Sequence, residues 1–338
     1  MSKERKELLM TKATRFIKRT FIWLSIFLFV LAASGMMYQT ASAETDRRNF
    51  PAPGDLIDVG GFKMHIYCMG EGNPTVILET LSGGTSSYWG WVQPEVANET
   101  RVCVYDRAGR GWSEPDPEPI TLGRTVRNLH TLLTNARVEG PYVLVGHSIG
   151  GIYVRQFAAD YPDEVVGMVL VDAAHPYQYD RYPDMLEANK NYLQLSSTFP
   201  TLARFGLFRL YFAWGGEIDF ADMKEPQKSE IRIMWSSPEY FLSQHAEAVA
   251  ASEIYGSGQK LDGLGDLPLL VISAETNAPA GWRELQSELA SLSDNSIQLD
   301  LETATHVSLA FHADDAHQVS LGILKVVDAV RTGEQLAD

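Results

Sequence analysis

Tyr142-Val-Leu-Val-Gly-His-Ser-Ile-Gly-Gly151 reads as a buried strand turning sharply into a helix around a serine. Tyr142 to Val145 is a short apolar, β-branched run, as expected for a strand covered on both faces. Gly146-His147-Ser148-Ile149-Gly150 is a G-x-S-x-G pentapeptide. Ile152, Val154, Phe157 and Ala158 then recur as the buried side of a helix. A serine on so tight a turn adopts a strained backbone, and side chains at the flanking glycines would collide with the strand and helix. The turn also sets the hydroxyl beside a helix N-terminus, whose free N–H groups favour developing negative charge. The pentapeptide alone is common, and an ordinary glycine-rich turn could carry it. The strand before it and the helix after it give it weight.

An alcohol is a poor nucleophile at neutral pH, so such a serine needs a base, an orienting acid and oxyanion donors. Other stretches fall in an order that matches one family. Val76-Ile-Leu-Glu-Thr80 reads as a third strand, Arg101-Val-Cys-Val-Tyr105 as a fourth and Leu267-Pro-Leu-Leu-Val-Ile-Ser273 as a seventh. Asp106-Arg-Ala-Gly-Arg-Gly-Trp-Ser113 has the D-x-x-G-x-G-x-S spacing of the loop after a fourth strand. Over roughly residues 55–330 the chain resembles the α/β-hydrolase fold family. The resemblance implies an α/β fold: a mostly parallel central sheet flanked by helices, with a helical cap inserted after strand 6.

That family orders its triad serine, acid, histidine, which implies roles for particular residues. His65 and His130 precede Ser148, and His147 is expected to be turned away by the elbow. His175 and His245 fall in the cap. His306 follows the strand-like Ser296-Ile-Gln-Leu-Asp-Leu301 in the loop Glu302-Thr-Ala-Thr-His306, which makes it the expected base. His312 and His317 lie further along a terminal helical pattern and read as surface residues. Many relatives carry the acid after strand 7. Here Ala274-Glu275-Thr276-Asn277 stands there, and Asn277 cannot bear the charge. Some relatives instead carry it at the end of strand 6, where this chain has Val166-Gly-Met-Val-Leu-Val-Asp172, so the resemblance implies Asp172 as the acid, with Glu275 the alternative. Alignment on Trp89 puts the Ser82 N–H in the oxyanion position beside that of Ile149, although Leu81 stands where glycine is usual.

At 338 residues the chain suits one large α/β unit with an insertion. The expected divisions are 1–43 as a basic flank plus apolar segment, 44–172 and 266–338 as the two parts of the core, and 173–265 as the cap. Between Tyr177 and Tyr255 stand 15 of the chain's 35 Phe, Trp and Tyr residues. Part of this surplus is expected to fill the cap core and part to line an apolar pocket above Ser148.

The first 43 residues hold seven Lys or Arg and two Glu, which leaves 21 basic against 41 acidic residues, a net charge of −20, for the rest. So acidic a domain repels nucleic acid, and a nucleic-acid role is not expected. The apolar run Phe21 to Met37 behind the basic flank directs the following chain out of the cytoplasm. Ala41-Ser-Ala43 fits a signal-peptide cleavage site, while the run is also just long enough to span a bilayer. Cleaved signal and retained anchor both stay open. Cys68 and Cys103 fall on strands that neighbour each other in the family's sheet, so a disulfide and two buried free thiols are both conceivable.

No H-E-x-x-H, Walker loop or Cys/His cluster is present, and neither metal nor cofactor is implied. The expected activity is serine hydrolysis of a carboxylic ester or related acyl bond on a small apolar or moderately polar substrate. Amidase, C–C hydrolase and cofactor-free peroxidase chemistry, and a non-catalytic ligand-binding or signalling role, are the alternatives.

Overall fold

The computed structural model describes residues 3–216 and 222–336. Along the chain, helix α1 (Lys3–Asn49) leads into β1 (Asp55–Asp58), β2 (Lys63–Met69) and β3 (Thr75–Glu79). Helix α2 (Val92–Val96), β4 (Val102–Tyr105), α3 (Leu122–Asn135), β5 (Tyr142–His147), α4 (Gly150–Asp160) and β6 (Val165–Val171) follow. Among the described residues, six helices then run before the next strand: α5 (Gln178–Arg181), α6 (Pro183–Ser196), α7 (Phe199–Arg204), α8 (Leu207–Ala213), α9 (Gln227–Met234) and α10 (Pro238–Gly258). The chain closes with β7 (Leu269–Ala274), α11 (Trp282–Ala290), β8 (Ser296–Leu301), α12 (Ser308–Phe311) and α13 (Ala313–Thr332).

The strands form one sheet in the order β1-β2-β4-β3-β5-β6-β7-β8. β2 pairs antiparallel with β1 and with β4, and every other neighbouring pair is parallel. This is the α/β-hydrolase fold that the strand order of the sequence implies. Strand ends differ from the sequence reading by a residue or two, where local propensity changes little from one position to the next.

Alternation explains why the strands read as unbroken apolar runs. Tyr142 and Leu144 of β5 enter a core shared with α3 and α4, while Val143 and Val145 face a second core under α2 and α13. Met168 and Leu170 of β6 and Leu269 and Val271 of β7 join the first core, and their neighbours join the second. Covering both faces leaves no polar side of the sheet. Helix α3 lays Leu122, Val126, Leu129 and Leu133 on the first core at helical spacing. Each such aliphatic contributes about 1.5–3 kcal/mol of burial.

Cys68 and Cys103 face each other in the register of β2 and β4 and form a disulfide. Helix α1 does not stop at Ala43; it continues unbroken to Asn49. Its last turns rest on the cap: the Gln39 amide donates to Ser236 O at 3.1 Å and accepts from Arg209 Nε at 2.7 Å. Beyond residue 43, Asp46 pairs with the same Arg209 at 2.5 Å, so the cap holds helix residues on both sides of that position.

Candidate active site

The turn after β5 is built as the glycine spacing requires. A Cβ on Gly146 would come within 2.7 Å of Gly150 and Gly151 backbone, and one on Gly150 within 2.9 Å of the Glu79 and Thr80 carbonyl oxygens. Ser148 takes φ +56°, a left-handed conformation that a non-glycine residue adopts at a cost of about 1–3 kcal/mol. Three backbone bonds hold it there: Ser148 N–H donates to Val171 O at 3.1 Å, and its carbonyl accepts from Gly151 and Ala174 N–H at 2.9 and 2.8 Å. Ile149 then caps α4, and its N–H has no acceptor among the described residues.

Asp172 leaves the end of β6 with φ +40° and is nearly inaccessible to solvent. Its Oδ2 accepts from His306 Nδ1 at 2.6 Å. Its Oδ1 accepts from Trp282 Nε1 at 2.7 Å and from Ala274 N–H at 3.1 Å. Burial alone would push this carboxyl up. The bond and charge of His306, with Trp282 and the Ala274 amide, outweigh it and hold Asp172 below the usual carboxylate range. Trp282, first residue of α11, has no sequence signal that would mark it in advance.

His306 stands in the loop after β8, its side chain 41% exposed. Thr305 and Ser308 brace the loop reciprocally, with Thr305 N–H donating to Ser308 Oγ at 2.8 Å and Ser308 N–H to Thr305 Oγ1 at 3.2 Å. Ser148 Oγ makes no hydrogen bond to His306 among the described residues. A nucleophile–base bond commonly tightens only when substrate is present. Glu275 goes elsewhere: its Oε1 accepts from Ser273 Oγ at 3.4 Å, and no bond joins it to His306 among the described residues. Asn277 is exposed, with φ +63°.

His147 departs from expectation. Its ring lies 4.8 Å from the His306 ring, and its Nε2 donates to the His306 carbonyl at 2.9 Å. The elbow turns it toward the next loop rather than away from the site. Burial, and then the nearby His306, lower its pKa to about 3. An unfolded chain takes up this proton near pH 6.5, so between about pH 6.5 and 3 the unfolded state binds more protons and stability falls as pH falls. The contribution is on the order of 4 kcal/mol. His147→Gln, whose amide can still donate to that carbonyl, should flatten the loss of urea midpoint between pH 6.5 and 4. An unchanged acid limb would contradict this account.

The loop after β3 sits on buried charge. Arg107 donates from Nη1 to Thr80 O and from Nη2 to Leu81 O, both at 2.9 Å, and pairs with Glu79. Ser82 N–H is left without an acceptor among the described residues. Sequence reasoning passed over Arg107, Arg110 and Glu247, because an ion cluster assembled from two distant segments leaves no local pattern.

A cavity of about 630 Å³ opens between the end of α1, the 108–120 loop and the cap, and is lined by Phe50, Trp112, Ile233, Met234 and Tyr240 among others. Ser148, Asp172 and His306 do not line it. It is thus not the apolar pocket expected directly above Ser148. Many cap aromatics pack on one another instead, with Phe199 and Phe208 both against Phe241.

Residues 80–320 match the profile of the alpha/beta hydrolase family. The chain is 28% identical over 278 residues to an uncharacterised protein of Schizosaccharomyces pombe, which covers 79% of this chain and 48% of that protein. It is 26% identical over 168 residues to an uncharacterised protein of Bacillus subtilis, covering 49% of this chain and 52% of the relative. The matched region thus spans about half the length of these two relatives. A thermophilic esterase from Thermogutta terrifontis superposes with a TM-score of 0.59 at 21% identity, covering 81% of this chain and 97% of the esterase, a likeness of fold.

Proposed function

Because the chain belongs to the alpha/beta hydrolase family, we propose that it is a serine hydrolase cleaving a carboxylic ester or related acyl bond through an acyl-enzyme. Ser148 Oγ attacks the carbonyl carbon while His306 Nε2 takes the hydroxyl proton. Asp172 holds the proton on Nδ1, so that Nε2 is free to accept, and stabilises the imidazolium that results. The Ile149 and Ser82 N–H groups receive the negative charge of the tetrahedral oxygen. His306 then returns the proton to the leaving alcohol, and water repeats the sequence to release the acid.

The observation that supports this reading best is the 2.6 Å bond from His306 Nδ1 to a buried Asp172 whose other oxygen is fully engaged. In that setting the carboxylate is fixed and ionised, as an orienting acid must be. His306→Ala should lower kcat/KM for a short-chain p-nitrophenyl ester by about three orders of magnitude or more. A loss under tenfold would move the base elsewhere, with His312 next to test.

The same proposal places the catalytic unit outside the cytoplasm on a retained anchor. Phe21, Trp23, Phe27 and Phe29 of α1 are each more than 60% exposed, and helix residues from Met10 onward are apolar enough to cross a bilayer. Cleavage after Ala43 would part Gln39 from Arg209 and Ser236. The Cys68–Cys103 disulfide fits an oxidising compartment. Fractionation should recover the intact chain from membranes, released by detergent and not by alkaline carbonate. A mature N-terminus at Glu44 would contradict retention.

A further inference from the structure

Between the cap and the core lies a buried cluster of two glutamates and two arginines that the proposed chemistry does not use. Glu247, on the inner side of α10, accepts from Arg107 at 2.9 Å through Oε1 and from Arg110 at 3.0 Å through Oε2. The same Oε2 accepts from Ser82 Oγ at 2.7 Å and from Gly83 N–H at 3.1 Å. Arg107 also pairs with Glu79, which accepts from the Thr80 N–H at 2.8 Å and from the Tyr105 hydroxyl. Arg110 reaches Gln244 of the same cap helix at 2.7 Å. All four charged side chains are 5% exposed or less.

The direction of one peptide plane follows from these bonds. In a trans peptide the C=O and the following N–H point to opposite sides. Arg107 and the Gly84 N–H hold the Leu81 carbonyl, at 2.9 and 3.0 Å, so the Ser82 N–H is turned away from the cluster and has no acceptor among the described residues. The next N–H, that of Gly83, is drawn back to Glu247. The loop has Leu81 where a glycine is usual, and these contacts determine which of its N–H groups remains available.

We infer that Glu247 is a positioning residue: through Arg107 and the Ser82–Gly83 bonds it aims the Ser82 N–H, so the oxyanion pocket is complete only when the cap is seated. The inference rests on the serine-hydrolase reading above. Burial opposes ionisation of Glu247, but Arg107 and Arg110 hold its pKa at about 2, so this carboxylate keeps its charge throughout the working range. Seating the cap therefore brings an ionised carboxylate onto two guanidinium groups and two loop donors at once. Lifting it strands the arginines and frees the loop.

The test uses the full chain in detergent, p-nitrophenyl butyrate as substrate and phenylboronic acid as tetrahedral mimic. Glu247→Gln removes the charge at constant size. Glu247→Asp keeps the charge and withdraws the carboxylate by one methylene, so it cannot bridge all four donors. Each should lower kcat by about tenfold to a hundredfold, less than deleting an oxyanion donor outright. KM should stay within about threefold, and boronate affinity should weaken by the same factor as kcat/KM. A merely structural residue would not move these two together. A folded variant with kcat within about threefold of wild type, or a loss confined to KM, overturns the inference. So does failure of both variants to fold, which would make the cluster a stability element. If wild type itself carries no fluorophosphonate-reactive Ser148, the serine-hydrolase reading fails first, and the two failures are told apart.

Discussion

Ser148→Ala should abolish ester hydrolysis, with kcat falling by about four to six orders of magnitude. The expectation follows from the backbone as much as from the side chain. The chain keeps a non-glycine residue at φ +56° between glycines that admit no Cβ, and the proposal assigns that strain to presenting the hydroxyl. Alanine retains the same backbone difficulty and removes only Oγ, which has no partner among the described residues. Thermal stability should accordingly change by less than about 1 kcal/mol. Rate and stability are thus predicted to separate. A variant that keeps a tenth of the activity would show that the elbow is structural, and the nucleophile would have to be sought elsewhere.

The acid is the second large effect. Asp172→Asn should reduce kcat by roughly a thousandfold or more, while Glu275→Gln should change it by less than about tenfold. All three partners of Asp172 are donors: His306 Nδ1, Trp282 Nε1 and Ala274 N–H. An amide must turn its NH₂ toward one side or the other. Facing His306, it demands a lone pair on Nδ1 and drives the proton to Nε2, where the base can no longer accept from serine. Facing Trp282 and Ala274, it sets donor against donor in a buried site. The first arrangement disables the base, and the second leaves the imidazolium without a countercharge. Glu275 accepts from Ser273 and makes no bond to His306 among the described residues. Steady-state kinetics on both variants decide the matter, and the reverse ranking would move the acid to Glu275.

The strands, the elbow and the order of the segments were legible because each rests on a local pattern. Unbroken apolar runs mark strands that are covered on both faces, and the glycines around Ser148 mark a turn where a Cβ would meet backbone. Asp172 entered as the expected acid through the family resemblance, and the fold brings it to His306 Nδ1 at 2.6 Å. What was not legible came from contacts between distant segments. Trp282 meets Asp172 across 110 positions, and Glu247 meets Arg107 from the far side of the cap insertion. His147 was misread because its direction depends on where the β8 loop closes, and nothing within the pentapeptide encodes that. The cavity under the end of α1 was not legible for a related reason. Aromatic content shows that the cap has surface to bury, but not whether it is buried against other cap helices or against a substrate.

The central claim is that Ser148 is an activated nucleophile, and fluorophosphonate labelling of the wild-type chain with peptide mapping tests it most directly. Attack by an activated serine on phosphorus gives a stable tetrahedral adduct held by the same oxyanion donors. The account predicts one phosphonyl group per chain, located on Ser148, with labelling lost in Ser148→Ala and slowed at least a hundredfold in His306→Ala. No adduct on the folded wild-type chain, or an adduct on another residue that persists in Ser148→Ala, would contradict it.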